Sequence, residues 1–304
     1  MNFNFIKYSS VYYIVSAILI IASVACISMY GLKFGIDFEG GSNMEVQFSA
    51  SRPSNEQIQQ TLTEFNLGEI VVQPTGDQGA LLKFQGVDEA THQQILAKIN
   101  EAYPVTEKSF QYIGPSVGKE LRNKTQVAIA LVLLAITIYI ALAFRKVSRP
   151  VSSWKYGIAS LIALGHDIII PVGVFAVLGH LYNAEITIPI ITALLTVLGF
   201  SVHDTIVIFD RIRENILRRG MGDFKDTVNW SLNQTLGRSL STVFSTLIVL
   251  FAIYFWGGET LRYFALTLII GISAGAYSSV LIAGPLLVTW YDWDQKRQSK
   301  KRAK

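Results

Sequence analysis

Polar positions in this chain come in clusters, and six apolar stretches lie between them: Tyr12–Tyr30, Gln126–Phe144, Tyr156–Gly179, Ile186–Phe209, Ser241–Trp256 and Tyr263–Tyr291. A bilayer core takes about 20 apolar residues of helix, within a range of roughly 17 to 25, so each stretch predicts a membrane-spanning helix. The last is long enough to tilt, or to bend at Pro285. Between the first and second stretches the period changes. "SNMEVQFSA" alternates at period two and predicts a strand, while "SNEQIQQTLTEFN" sets Ile58, Leu62 and Phe65 on one face behind a Ser54 cap and predicts a helix. "EIVVQP" and "ALLKFQG" read as strands and "EKSFQYIG" as a last one. "DEATHQQILAKINEAY" reads as a second helix, with Ala90, Ile95, Ile99 and Tyr103 along one side and His92 alone on the polar, solvated side. The order βαββαβ defines a split βαβ, or ferredoxin-like, unit.

The fold expected is therefore a polytopic α-helical membrane protein with six transmembrane helices and one ferredoxin-like external domain after helix 1. Residues 1–31 carry the N-terminus and helix 1, and 32–122 the external α/β domain with its joints. Residues 123–291 carry helices 2–6 with an amphipathic segment at about 210–240, and 292–304 form a basic tail. Within the amphipathic segment Phe224, Val228, Leu232, Leu236 and Leu240 recur every four residues after the break "GMG" at Gly220–Gly222. That pattern predicts a helix lying on the membrane interface.

Composition agrees with this division. Of 304 residues 51% are hydrophobic and 16% charged, too apolar for an ordinary soluble domain. Charge sets the orientation. Arg145, Lys146, Arg149 and Lys155 follow span two; Arg211, Arg213, Arg218, Arg219, Lys225 and Arg238 follow span four; Lys296, Arg297, Lys300, Lys301, Arg302 and Lys304 close the chain. The opposite short loops hold Glu185, Glu259 and Arg262. Positive-inside counting places both termini in the cytoplasm and residues 32–122 outside it. The basic residues sit at membrane edges, which fits anionic lipid contact and not a nucleic-acid site. Cys26 is the only cysteine, so no internal disulfide forms. The first apolar run exceeds a signal-peptide core and is read as an uncleaved helix.

Two glycine-rich segments frame the external domain. "GIDFEGG" (Gly35–Gly41) and "IGPSVGKEL" (Ile113–Leu121) are either plain linkers or joints that control the angle of the domain to the membrane. The hinge residues of the second reading are Gly35, Asp37, Gly40, Gly41, Gly114, Pro115 and Gly118. Inside the spans lie two His-Asp pairs, His166–Asp167 and His203–Asp204, and Arg238 stands where its side chain reaches inward. An ionisable group near the bilayer centre costs at least about 2.5–3.5 kcal/mol on insertion scales, so each is either an interhelical hydrogen-bonding group or an ion-coupling one. Span six carries small residues, Gly271, Gly275, Ser278, Ser279, Ala283 and Gly284, which predict a packing face within the bundle or against a partner.

Taken in order, "GIDFEGG", "GPSVGKEL", the "HD" of span three and "DTIVIFDRIREN" at the end of span four resemble the SecD/SecF family of bacterial Sec protein-export subunits, within the resistance–nodulation–division superfamily. The resemblance runs from about residue 31 to 290, and departs at His203, where the family carries Asn. It implies an ion-coupling site at Asp204 and Arg238. The residues themselves add Asp167, His166 and His203 as further candidates, with the histidines as proton relays because imidazole titrates near neutrality. The resemblance also implies an auxiliary, non-enzymatic subunit with no catalytic residue, metal or cofactor, driven by H⁺ with Na⁺ as the alternative ion. Burial favours the protonated form of an aspartate and a neighbouring arginine favours the ionised one. An aspartate that gains and loses an arginine as helices shift thus binds and releases a proton, and so moves the external domain. The partners implied are a SecD-like six-helix subunit, a SecYEG-type channel with small accessory membrane proteins, an unfolded polypeptide in transit and membrane lipids. Rival readings are half of an ion-driven lipid or small-molecule exporter, and a non-transporting assembly factor. An intramembrane protease is disfavoured by the absence of H-E-x-x-H and Gly-x-Gly-Asp patterns.

Overall fold

The computed structural model describes residues 3–145, 150–219 and 223–302. Lys146, Arg149, Lys304 and the Gly220–Gly222 break lie outside the described residues. The elements run α1 (Ser9–Tyr30), α2 (Ile36–Glu39), β1 (Gly41–Phe48), α3 (Asn55–Thr61), β2 (Val71–Thr75), β3 (Gly79–Phe84), α4 (Glu89–Ala102), β4 (Val105–Ile113), α5 (Pro115–Ala143), α6 (Ser153–Tyr182), α7 (Ile188–Arg219), α8 (Phe224–Trp256), α9 (Glu259–Ser278) and α10 (Gly284–Arg302). Among the described residues six helical segments are long and apolar enough to cross a membrane: α1, α5, α6, α7, α8 and the run from Leu261 to Lys300. The chain divides into two compact units, Leu32–Val127 with Leu181–Ile188, and the remainder.

In the smaller unit the alternation of Met44, Val46 and Phe48 on β1 aims one face of the sheet at Ile58 and Leu62 of the first helical stretch and at Ile95 and Ile99 of α4, all buried. The four strands are antiparallel in the order β2-β3-β1-β4, with Met44 opposite Leu82 at the centre. Ser54 closes a capping box on α3, accepting from Gln57 N while Gln57 Oε1 accepts from Ser54 N. Asp88 caps α4 through Thr91 N. His92 is buried instead of solvated. Its spacing of three and seven residues from Ile95 and Ile99 puts it on the core face of α4, while Ala90 is exposed. Its ring stacks on Phe110 at 3.7 Å, and Nδ1 and Nε2 lie 3.2 and 3.0 Å from Glu89 and Glu107. Leu82→Ala is expected to cost the unit about 2–5 kcal/mol. Hydrogen exchange of the β1 and β3 amides in the solubilised full chain reads that loss, and unchanged protection would contradict this packing.

In the larger unit the helices exceed their apolar stretches. The segment Phe224–Leu240 and span five, expected to be separate, form the single helix α8. Gly237 alone does not break it, and Thr242 Oγ1 bonds back to the Arg238 carbonyl at 3.0 Å. The first three residues of its apolar stripe, Phe224, Val228 and Leu232, are buried against Ile208, Ile212 and Leu287, whereas Leu240 at its end is exposed. Lys155, expected as a loop charge, is buried at the start of α6 and paired with Asp294 of α10 at 2.5 Å. Ahead of Pro285, where a bend or a tilt of the long span was expected, the helix passes through a π-helical turn over Ser279–Ala283, between α9 and α10. Pro285 has no N–H for the preceding turn, and the wider turn absorbs the mismatch. The small-residue face of span six packs inside the bundle. A Cβ on Gly275 would meet Ser201 Cβ at 3.1 Å, and one on Gly284 would meet Leu232 Cδ2 at 2.9 Å.

Candidate functional site

The structure gives the two His-Asp pairs different surroundings. Asp167 is fully buried on α6 and has three hydrogen-bond partners: Ser201 Oγ (2.5 Å) and Ser278 Oγ (2.9 Å) donate to Oδ2, and His166 Nδ1 lies 2.9 Å from Oδ1. Three helices converge there because Gly275 lets α9 approach: a Cβ at that position would stand 3.4 Å from Asp167 Oδ2. One layer on, Thr205 and Ser279 share a hydrogen bond of 2.8 Å. Pro171, one turn beyond Asp167 on α6, lacks the N–H that would close the helical bond on the Asp167 carbonyl.

Asp204, on α7, is 9% exposed. Its Oδ1 accepts from Ser239 Oγ of α8 at 2.5 Å, and its Oδ2 is buried with no hydrogen-bond partner among the described residues. Arg238 precedes Ser239 on α8, but is exposed and forms no ion pair with Asp204 among the described residues. His203 is exposed as well. The residues read from the sequence as one ion-coupling set thus separate into a buried His166–Asp167 cluster and a buried Asp204, with Arg238 and His203 on the surface of the unit. Sequence reasoning missed Ser201, Thr205 and Ser239 and took Ser278 and Ser279 for packing residues. The available signal was the spacing of Ser201 three residues before Asp204 and the hydroxyl-rich run "SLSTVFST" after Arg238.

The glycine segments meet backbone to backbone. The sequence read "IGPSVGKEL" as a turn, but Pro115 opens α5, at a helix position where proline is favoured. Gly40 has φ +81°, and a Cβ there would lie 2.8 Å from Pro115 Cα; a Cβ on Gly118 would lie 2.9 Å from Gly40 N. Gly35 N donates to the Ile186 carbonyl at 2.9 Å. Asp37 is buried and Oδ2 accepts from Ile188 N at 2.8 Å, so it caps the start of α7. Gly41 has φ +141°, and a Cβ on Gly114 would meet the Tyr112 hydroxyl at an ordinary contact distance of 3.6 Å. Nearby, Lys83 pairs with Glu185 at 2.9 Å, and burial pushes the Glu185 carboxyl above the usual carboxylate range against the pull of Lys83.

Six spans, a split βαβ unit after the first and carboxylates buried between helices define a polytopic membrane protein of the transport class. Comparison with known proteins narrows it. Residues 92–293 match the family described as "Protein export membrane protein SecD/SecF, C-terminal", and residues 27–51 match the "SecD/SecF GG Motif". The chain is 42% identical over 307 residues to the protein translocase subunit SecF of Thermobaculum terrenum, covering 96% of this chain and 95% of that protein. It is 34% identical to the SecF subunit of Anaerolinea thermophila, covering 96% of each. The crystal structure of SecDF, a translocon-associated membrane protein from Thermus thermophilus, superimposes with a TM-score of 0.83 at 31% identity over 96% of this chain and 39% of that one. The chain belongs to the SecD/SecF family, on the side of the SecF protein translocase subunits. It spans about two-fifths of the SecDF chain it matches.

Proposed function

We propose that this chain uses the proton-motive force to promote the late stage of polypeptide export across the bacterial inner membrane. The observation that carries the reading is the Asp204 Oδ2 atom, buried between α7 and α8 without a hydrogen-bond partner among the described residues. A carboxylate in that state is stabilised by taking up a proton. Ser239 and Arg238 are adjacent on α8, so rotating that helix by roughly 100° exchanges a neutral donor for a guanidinium at Asp204. With the arginine absent the carboxyl holds a proton; with it present the proton leaves. One charge crossing about 100 mV yields roughly 2.3 kcal/mol, a bias of about 50-fold between two states.

In this reading the α/β unit faces the periplasm, contacts the unfolded polypeptide and resists its backsliding, and both termini face the cytoplasm. Partners are a SecD-like six-helix subunit, a SecYEG-type channel with its small accessory proteins, and lipid. The length match with SecDF supports the SecD-like half, since that longer chain holds this one and more. H⁺ is the coupling ion, with Na⁺ the alternative: replacing one gradient by the other in vesicles decides between them. Orientation is tested by Asp77→Cys in a Cys26→Ser background, at an exposed turn between β2 and β3. The thiol is expected to react with an impermeant reagent in intact spheroplasts. Labelling only after lysis would invert the topology.

A further inference from the structure

We propose that His166 and Asp167 form a second proton-accepting site of the bundle, apart from Asp204, in which Asp167 stays ionised and His166 Nε2 receives the proton. Ser201 and Ser278 are its positioning residues. The proposal rests on the proton-driven reading above, because such a site has a use only where protons pass through the bundle.

The hydrogen-bond pattern carries it. An ionised carboxylate only accepts, and a neutral imidazole carries one N–H and one lone pair. Two donors face Asp167, the hydroxyls of Ser201 and Ser278 at Oδ2, and His166 Nδ1 lies 2.9 Å from Oδ1. The set satisfies a carboxylate. A protonated Asp167 would have to turn one of the three contacts around. With the Asp167 carboxylate against it, His166 Nδ1 holds the hydrogen, and the lone pair falls on Nε2. Nε2 is buried and has no hydrogen-bond partner among the described residues. His166 itself is 1% exposed, and Asp167 is fully buried. In the neutral-imidazole state this buried pair carries a net negative charge inside the apolar spans, which is costly. A proton delivered by hydronium to Nε2 forms an N–H bond, gives an imidazolium beside the carboxylate and brings the pair to zero net charge. Release returns the lone pair to Nε2.

The surroundings suit an exchangeable site. The titratable groups against His166 are Asp167 on its own helix and Tyr277 on α9, whose ring centroid lies 5.2 Å from the imidazole. From α7 comes Ser201, and from α1 comes Ser16, hydrogen-bonded to the Tyr277 hydroxyl. Neither serine carries charge. Ser278 immediately precedes the π-helical turn Ser279–Ala283, and its hydroxyl also lies 3.2 Å from the Gly275 carbonyl. It therefore has a second acceptor when the charge on the pair changes, and the irregular turn is where span six yields most readily.

The test is nitrogen NMR of the full chain in lipid nanodiscs, labelled with ¹⁵N-histidine, with His166 assigned by its loss in His166→Gln. At high pH the wild type is expected to show Nδ1 protonated and Nε2 bare, and acidification to add the second proton at Nε2. In Asp167→Asn the amide donates to the ring, and the bare nitrogen is expected to move from Nε2 to Nδ1. Ser201→Ala with Ser278→Ala is expected to mix the two tautomers, and Ser201→Thr to restore the wild-type one. Bare Nδ1 in the wild type, or no second proton between pH 5 and 9, would overturn the proposal, and so would an unchanged tautomer in Asp167→Asn. If a variant fails to fold, the wild-type spectrum alone decides. If His166 behaves as described but export ignores the gradient, the site stands and the proton-driven reading fails. If export follows the gradient while His166 keeps one state, only this proposal fails.

Discussion

Gly40→Val is expected to leave the chain inserted and accumulating in the membrane, while export driven by the gradient falls roughly tenfold or more. Valine would have to adopt φ near +81°, which costs an L-residue about 1–2 kcal/mol and a β-branched one more. Its Cβ would also stand 2.8 Å from Pro115 Cα and 2.9 Å from Pro115 N. Both are backbone atoms at the start of α5 and cannot rotate aside, so overpacking adds about 1–3 kcal/mol. Gly41→Val adds a second strained site, at φ +141°, with Ile36 Cγ2 at 3.0 Å and the Phe84 carbonyl at 3.1 Å. The six spans do not depend on these contacts, so insertion survives. Gly114→Ala is the control: a Cβ there meets only the Tyr112 hydroxyl, at 3.6 Å, and the variant should export normally. Immunoblotting of membranes beside an export assay separates the outcomes. Normal export by Gly40→Val would show that the close packing of the two glycine segments is dispensable.

The larger effect is expected from Asp204→Asn. Asparagine keeps the size and can still accept from Ser239 through its carbonyl, but it neither binds nor releases a proton near neutral pH. Were Asp204 only a structural group, the substitution would change little, since an interhelical hydrogen bond of this kind is worth about 1 kcal/mol and is retained. As the coupling group it loses the whole gradient-dependent increment, a bias of about 50-fold per proton at roughly 100 mV. Arg238→Lys keeps the charge but not the planar fork, and an intermediate response is expected.

Most of the fold was legible in the sequence because hydrophobic period reports burial directly. The six spans and the βαββαβ order needed nothing more than that pattern and the Ser54 cap. The pattern misled where a polar residue is buried through partners far along the chain. His92 read as solvated because neither Glu107 nor Phe110 can be placed against it before the sheet is assembled. For the same reason the amphipathic stripe of α8 looked like a membrane-surface helix: the facing residues Ile212 and Leu287 come from other spans. At the site, Asp167 and Asp204 stood out because carboxylates are rare in apolar runs. The serines that hold them did not, since Ser201, Ser239 and Ser278 are ordinary small residues of a membrane helix. Arg238 and Asp204 share no ion pair among the described residues.

The central claim is that a proton taken up by Asp204 drives export. Its most direct measurement follows completion of a preprotein translocation intermediate in inverted membrane vesicles, once ATP-dependent steps have been halted, with the proton gradient present or collapsed by a protonophore. Wild-type vesicles are predicted to complete translocation with the gradient and to stall without it. Asp204→Asn vesicles, holding the same amount of assembled protein, are predicted to stall in both. If Asp204→Asn vesicles complete translocation with the gradient as the wild type does, Asp204 is not the coupling group and the account is wrong.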